Sequence, residues 1–169
     1  MSEPVRIALL GDVPDVIPTL ARWYKSEWTA WFADMASEEI EADFRLLLQR
    51  NQLPLGLVAF NTTGQPIGVC SIRSETFAPY PHAGPWLRGL YVTPDERGKN
   101  IAGQLIRAAE QTAAQLPLTK LYAATHSAAG TFERAGWLGF DQVLHDGQKL
   151  IIFGRQVRQA SAGAPFQQT

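Results

Sequence analysis

Apolar positions recur at two spacings along the chain, and the points where the spacing changes divide it into elements. Val5 to Leu10 is a short apolar run, broken only by Arg6 and closed by Gly11-Asp12, and it predicts a first strand. Pro14 and Pro18 follow, and proline is tolerated where a helix has no N–H partner to lose. A helix is therefore expected to start there, with Asp12 or Asp15 as its N-cap. Ile17, Leu20, Tyr24, Trp28 and Trp31 then recur at three or four residues, which extends that helix through Trp31. Ser37 is expected to cap a second helix, with Glu38, Glu39 and Glu41 in its first turn and Ile40, Phe44, Leu47 and Leu48 as its buried stripe.

Leu55 to Phe60 and Pro66 to Ile72 flank the turn residues Asn61-Thr62-Thr63-Gly64 and predict an antiparallel hairpin. A loop rich in Pro and Gly, residues 79–85, leads into a strand from Trp86 to Val92. After the turn at 93–98, a long helix is expected to run to about Leu116. Its stripe is Ile101, Leu105, Ala109, Ala113 and Leu116, with Gln104, Arg107 and Gln111 facing water. Leu118 to Thr125 is read as a strand, Ala128 to Ala135 as a short helix, and Leu138 to Leu144 as a strand. Asp146-Gly147 then makes a tight turn into a last strand, Lys149 to Gly154. The order is βααβββαβαββ, a mixed α/β class. A single domain over residues 1–157 and a mobile tail from 158 are expected, the tail being small, polar and proline-bearing.

Composition narrows the classes. Fifteen basic against sixteen acidic residues leave no global basic field, so neither nucleic acid nor an anionic membrane is expected as a partner. The lone cysteine, Cys70, makes no internal disulfide and, inside an apolar strand, reads as an inert core thiol. His82, His126 and His145 stand far apart without a paired cysteine, so no metal site is expected. The N-terminus has no basic segment followed by a long apolar run, and no stretch reaches the roughly 18 apolar residues of a spanning helix. A cytoplasmic location is the resulting expectation.

One segment carries chemistry: Leu90-Tyr91-Val92-Thr93-Pro94-Asp95-Glu96-Arg97-Gly98-Lys99-Asn100-Ile101-Ala102-Gly103. A strand runs through a turn into a helix, so unpaired N–H groups and the positive end of the helix dipole converge on one point. Gly98, Ala102 and Gly103 let a bulky anion approach the backbone, and Arg97 and Lys99 add positive charge at the rim. The segment matches neither the Walker loop nor Gly-x-Gly-x-x-Gly. Alone, it reads equally as a pyrophosphate cradle or as an ordinary glycine-bearing turn before a surface helix.

The wider pattern is a strand, Val-x-Pro-x-x-Arg-Gly-Lys, a long helix, a strand, then Phe132-Glu133-Arg134-Ala135-Gly136-Trp137. It resembles the Gcn5-related N-acetyltransferase (GNAT) family. That family's loop, Arg/Gln-x-x-Gly-x-Gly/Ala, binds the pyrophosphate of acetyl-coenzyme A and corresponds here to Arg97-Gly98-Lys99-Asn100-Ile101-Ala102. The resemblance implies a fold in which the fourth and fifth strands splay apart. Leu90, Tyr91 and Val92 would then offer backbone groups to the pantetheine arm, with the thioester in the gap. It further implies that His126 stands where an asparagine often bonds the pantetheine and that Phe132 packs near the thiol end. Pairing of two copies through the late strands, a homodimer, is implied as well.

Three departures from the family pattern bear on chemistry. Asn100 replaces a glycine, though asparagine tolerates left-handed backbone angles. Phe132 replaces a frequent tyrosine and has no proton for a leaving thiolate. No carboxylate lies on the fourth strand, Trp86-Leu87-Arg88-Gly89-Leu90. Positioning an amine against a thioester can supply effective molarities on the order of 10⁵ M, whereas a general acid or base adds about 10²–10⁴. A weak base favours an α-amine, free in about one molecule in seven at pH 7 against about one in 2,500 for a lysine-type amine.

The implied function is an N-acetyltransferase moving an acetyl group from acetyl-coenzyme A to a primary amine, a small molecule or a peptide N-terminus. The alternative is a non-catalytic acyl-coenzyme A-binding sensor. His126 and Ser127 are candidates for proton relay at the end of the fifth strand. Glu27 and Glu75 are candidate bases on the acceptor side. His82, Trp28 and Trp31 are candidate walls for the acceptor.

Overall fold

The computed structural model describes residues 5–75, 77 and 79–158, so the expected tail from residue 159 onward lies outside the described residues. Seven strands form one mixed sheet in the order β1-β2-β3-β4-β5-β7-β6. They are β1 (Arg6–Leu9), β2 (Leu55–Phe60), β3 (Pro66–Arg73), β4 (Trp86–Val92), β5 (Lys120–Thr125), β6 (Leu138–His145) and β7 (Gln148–Gln156). Neighbours run antiparallel except β4 and β5. The Asp146-Gly147 turn has φ of 51° and 79°, the left-handed pair that closes a two-residue hairpin between β6 and β7.

Alternation along the strands sends side chains to two different cores. Val58, Val69 and Tyr91 face α1 (Ile17–Glu27) and α3 (Ser37–Arg45), packing with Leu10, Leu20, Ile40 and Phe44. Leu57, Cys70 and Leu87 face the other way, onto Ile101, Leu105 and Ile106 of α4 (Ile101–Gln115) and Phe132 of α5 (Ala129–Arg134). Each such fully buried aliphatic side chain stabilises the fold by roughly 1.5–3 kcal/mol, which is why the 3.6-residue stripe of α4 was readable in advance. Beyond β4, on the α1 face, no helix reaches the sheet among the described residues. There Phe77 and Tyr80 cover Trp86, Tyr122 and Ile152.

Several expected boundaries shift. The first helix begins at Ile17 after two 3-10 turns, Leu10–Asp12 and Pro14–Val16, and its N-cap is Val16; neither Asp12 nor Asp15 caps it. Asp12 instead pairs with Arg50. Nor does the helix run through Trp31: it stops at Trp28 (φ −118°, ψ 58°), and a separate turn, α2 (Thr29–Phe32), follows. Ring packing explains the break, since Trp28 turns edge-on to Tyr24 and also meets Tyr91. Ser37 is the first helical residue of α3, not its cap. The cap position is Ala36, whose N–H donates to the Glu39 side chain at 2.8 Å.

Candidate functional site

β4 and β5 share one register pair, Trp86 with Tyr122, where the Tyr122 N–H donates to the Pro85 carbonyl at 3.0 Å. Past that rung the strands diverge and leave a cleft of about 540 Å³. Its position follows from a β4 bulge. Between the pairs Ser71–Arg88 and Val69–Tyr91, β4 carries one residue more than β3, and Gly89 has φ of +65°. A side chain at Gly89 would overlap the Tyr24 hydroxyl, which donates to the Gly89 carbonyl at 2.6 Å. The Thr93 N–H points at β3, donating to Ile67. By alternation the amide of Val92 points the other way, toward the cleft that Leu90, Tyr91 and Val92 line.

The opposite wall is the start of α4. Asn100 adopts the left-handed conformation (φ 61°, ψ 29°), and no side chain caps the helix. The N–H groups of Ile101, Ala102 and Gly103 precede the first helical bond, from Gln104 N–H to the Asn100 carbonyl at 3.2 Å, and face the cleft with the positive end of the dipole. The Asn100 amide folds back over Gly103, so that a Cβ there would overlap the side-chain oxygen. Gly98, at φ +82°, has open space where a side chain would stand. This combination of uncapped amides and a gap over the backbone fits a pyrophosphate.

Arg97 is held over the mouth by three partners. Its Nε donates to the Val92 carbonyl at 2.8 Å, its guanidinium lies 5.4 Å from the Tyr91 ring centre, and its Nη2 approaches Glu27 at 3.6 Å. Burial raises the Tyr91 hydroxyl pKa above its ordinary value, with Arg97 opposing the shift. That phenol is therefore protonated at neutral pH.

Of the residues singled out in the sequence, the cleft gathers Glu27, Trp28, Leu90, Tyr91, Val92, Arg97, Gly98, Asn100, Ile101, Ala102, Gly103 and Ser127. It adds Glu96, Ala128, Thr131 and Arg134. Lys99 stands outside, paired with Glu96 at 3.2 Å. Phe132 is not in the lining: its ring is buried in the core against Trp137 and Phe153. His126 is exposed, with Nδ1 3.4 Å from the Lys149 carbonyl. Glu75 lies between Arg73 and Arg88, at 3.5 and 3.8 Å. Trp31 and His82 are exposed and do not line the cleft. Tyr24 went unrecognised because at helical spacing it read as one more member of the α1 stripe. A larger groove of about 910 Å³ runs between α4 and the edge strand β1, lined by Ile7, Leu9, Arg107 and Gln111; it includes none of Leu90, Tyr91 and Val92 of β4.

The family model for the acetyltransferase (GNAT) family matches residues 17–137. The chain belongs to the GNAT acetyltransferase family. Solved structures agree on the GNAT fold. A complex described as aminoglycoside 6'-N-acetyltransferase with coenzyme A aligns at a TM-score of 0.72, with 13% identity over 92% of this chain and 99% of the other. The spermidine/spermine N-acetyltransferase SpeG from Vibrio cholerae aligns at 0.68, with 15% identity over 90% and 92%. No curated protein sequence matches the chain. At such identities the likeness speaks for the GNAT fold, including its parallel, diverging β4 and β5.

Proposed function

We propose that the protein transfers an acetyl group from acetyl-coenzyme A to a primary amine by direct attack of the neutral amine. The observation that carries this reading is the uncapped, left-handed start of α4 opening onto the free edge of β4. The amides of Ile101, Ala102 and Gly103 would hold the pyrophosphate, with Arg97 and Arg134 supplying charge. When bound, acetyl-coenzyme A supplies an acetyl group activated as a thioester. The Leu90 and Val92 amides would orient the arm and polarise its carbonyl. Glu27, a cleft-lining carboxylate outside the loop that forms the cradle, would take the amine's proton. Ser127 would pass a proton to the leaving sulfur in place of Phe132, whose ring has none to give.

Thermal unfolding tests the cofactor half. Acetyl-coenzyme A at about 100 times its Kd adds roughly 2.7 kcal/mol, a rise of about 5–10 °C at this size. Arg97→Glu or Gly98→Glu should abolish it. Glu27→Gln tests the chemistry: the rate should fall by about 10²–10⁴ while the thermal shift persists. The core burial of Phe132 favours a second reading, a non-catalytic acyl-coenzyme A-binding module, which would show the thermal shift without thiol release for any amine.

A further inference from the structure

Two arginines lie side by side near the closed end of the β4–β5 split, and they are used differently. Arg73 is nearly buried (side chain 13% exposed) and is consumed by its neighbours, donating to Asp43 at 2.7 Å and meeting Glu75 at 3.5 Å. Arg88 is open (40% exposed), and its nearest carboxylate, Glu75, stays at 3.8 Å. Among the described residues none of its side-chain donors makes a hydrogen bond. Its guanidinium pKa is nonetheless pulled below the ordinary arginine value, first by burial and then by Arg73, with Glu75 and Asp43 opposing. A partly desolvated guanidinium without hydrogen bonds is a costly thing to leave in a fold.

Its place in the strand gives it a use. Arg88 is the second residue after Trp86, the last β4 residue paired with β5, so it shares the Trp86 face. The bulge at Gly89 returns Tyr91 to that face too. Arg88 therefore lies between the cleft wall at Tyr91 and the aromatic floor of Trp86 and Tyr122, on the face of the sheet away from α4. Arg88 itself is not part of the cleft lining; it stands two residues from Leu90, the nearest β4 residue of that lining, toward the closed end of the split.

Building on the transferase reading, we propose that the acceptor carries a carboxylate beside its amine and that Arg88 receives that carboxylate. The fork of a guanidinium matches a carboxylate in two parallel bonds, which fixes distance and direction together. Glu75 then acts as a weak stand-in that the acceptor displaces. The same arginine disfavours acceptors that are purely cationic.

The test is thiol release from acetyl-coenzyme A with amino acids and dipeptides, each paired with its C-terminal amide, and with spermidine as a cationic control. The acids should exceed their amides at least about tenfold in kcat/KM, through KM. Arg88→Gln should erase that preference, Arg88→Lys should keep part of it, and Glu75→Gln should lower KM for the acids. Amides or spermidine performing as well as the acids, or a preference that survives in a folded Arg88→Gln protein, would overturn the assignment. Coenzyme A stabilisation without turnover of any amine would instead defeat the transferase reading. Arg88 is then judged by whether the same acids raise the melting temperature of the coenzyme A-loaded wild type but not of Arg88→Gln. Absence of that difference overturns the site on its own.

Discussion

The Tyr24 hydroxyl, in the last turn of α1, donates 2.6 Å to the carbonyl of Gly89, the residue that bulges β4. Burial raises the phenol's pKa far above its ordinary value, so the proton stays in place for donation at every working pH. A helix thereby pins the strand distortion that turns the β4 edge toward the cleft. Tyr24→Phe leaves that carbonyl without a partner. It should cost about 1–3 kcal/mol, a fall of roughly 3–10 °C in melting temperature, and kcat should drop with it while coenzyme A stabilisation persists.

Asn100 and Gly103 form a second dependent pair. Gly103→Ala places a methyl where the Asn100 amide now lies, and that flexible end must swing out toward the incoming phosphates. Helix stability should hold or rise, because alanine is favoured over glycine by about 1 kcal/mol. Affinity for acetyl-coenzyme A, measured by calorimetry, should fall at least about tenfold. Adding Asn100→Gly should restore it.

Alkaline pH should weaken the fold through Cys70. Burial pushes this thiol up from 9.0 to about 12, so the folded protein keeps a proton that the unfolded chain loses. The stabilisation is complete below pH 9 and is lost as pH rises toward 12. Urea unfolding from pH 8 to 11 should show the decline, and Cys70→Ala should lessen it, most clearly between pH 9 and 10, below the range where the raised phenols of Tyr24, Tyr80 and Tyr91 add to it. In the folded wild type at pH 8, iodoacetamide should leave Cys70 unmodified.

Glu110 ties α4 to the far half of the sheet, accepting from Trp137 Nε1 at 2.7 Å and from Arg155 Nε at 3.3 Å. Glu110→Gln should lower the urea midpoint by the equivalent of about 1–2 kcal/mol with the m-value unchanged.

What could be read from the sequence was what depends on near neighbours in the chain. The α4 stripe and the hairpin turns are set by residues a few positions apart, and they stand where expected; the left-handed backbone at Gly98 and Asn100 is local in the same way. Other features depend on contacts distant in sequence. The bulge at Gly89 needs Tyr24, sixty-five positions away. The stop at Trp28 needs the ring of Tyr91, and the inward turn of Phe132 needs Phe153. Periodicity alone carries no sign of such pairs. Expected caps failed for a related reason: an aspartate or serine at the right spacing is an offer, and Asp12 took Arg50 instead.

The single rung between Trp86 and Tyr122 has a mechanical meaning. Within the sheet it joins two plates, β1 to β4 and β5 to β7. Elsewhere adjacent strands are held by rows of paired residues that share a load, but force across this seam falls on one register pair, as in a zipper opened from its end. A molecule lying in the gap and gripping both margins would act as a splint, and the sheet would be stiffest when it is about to do chemistry.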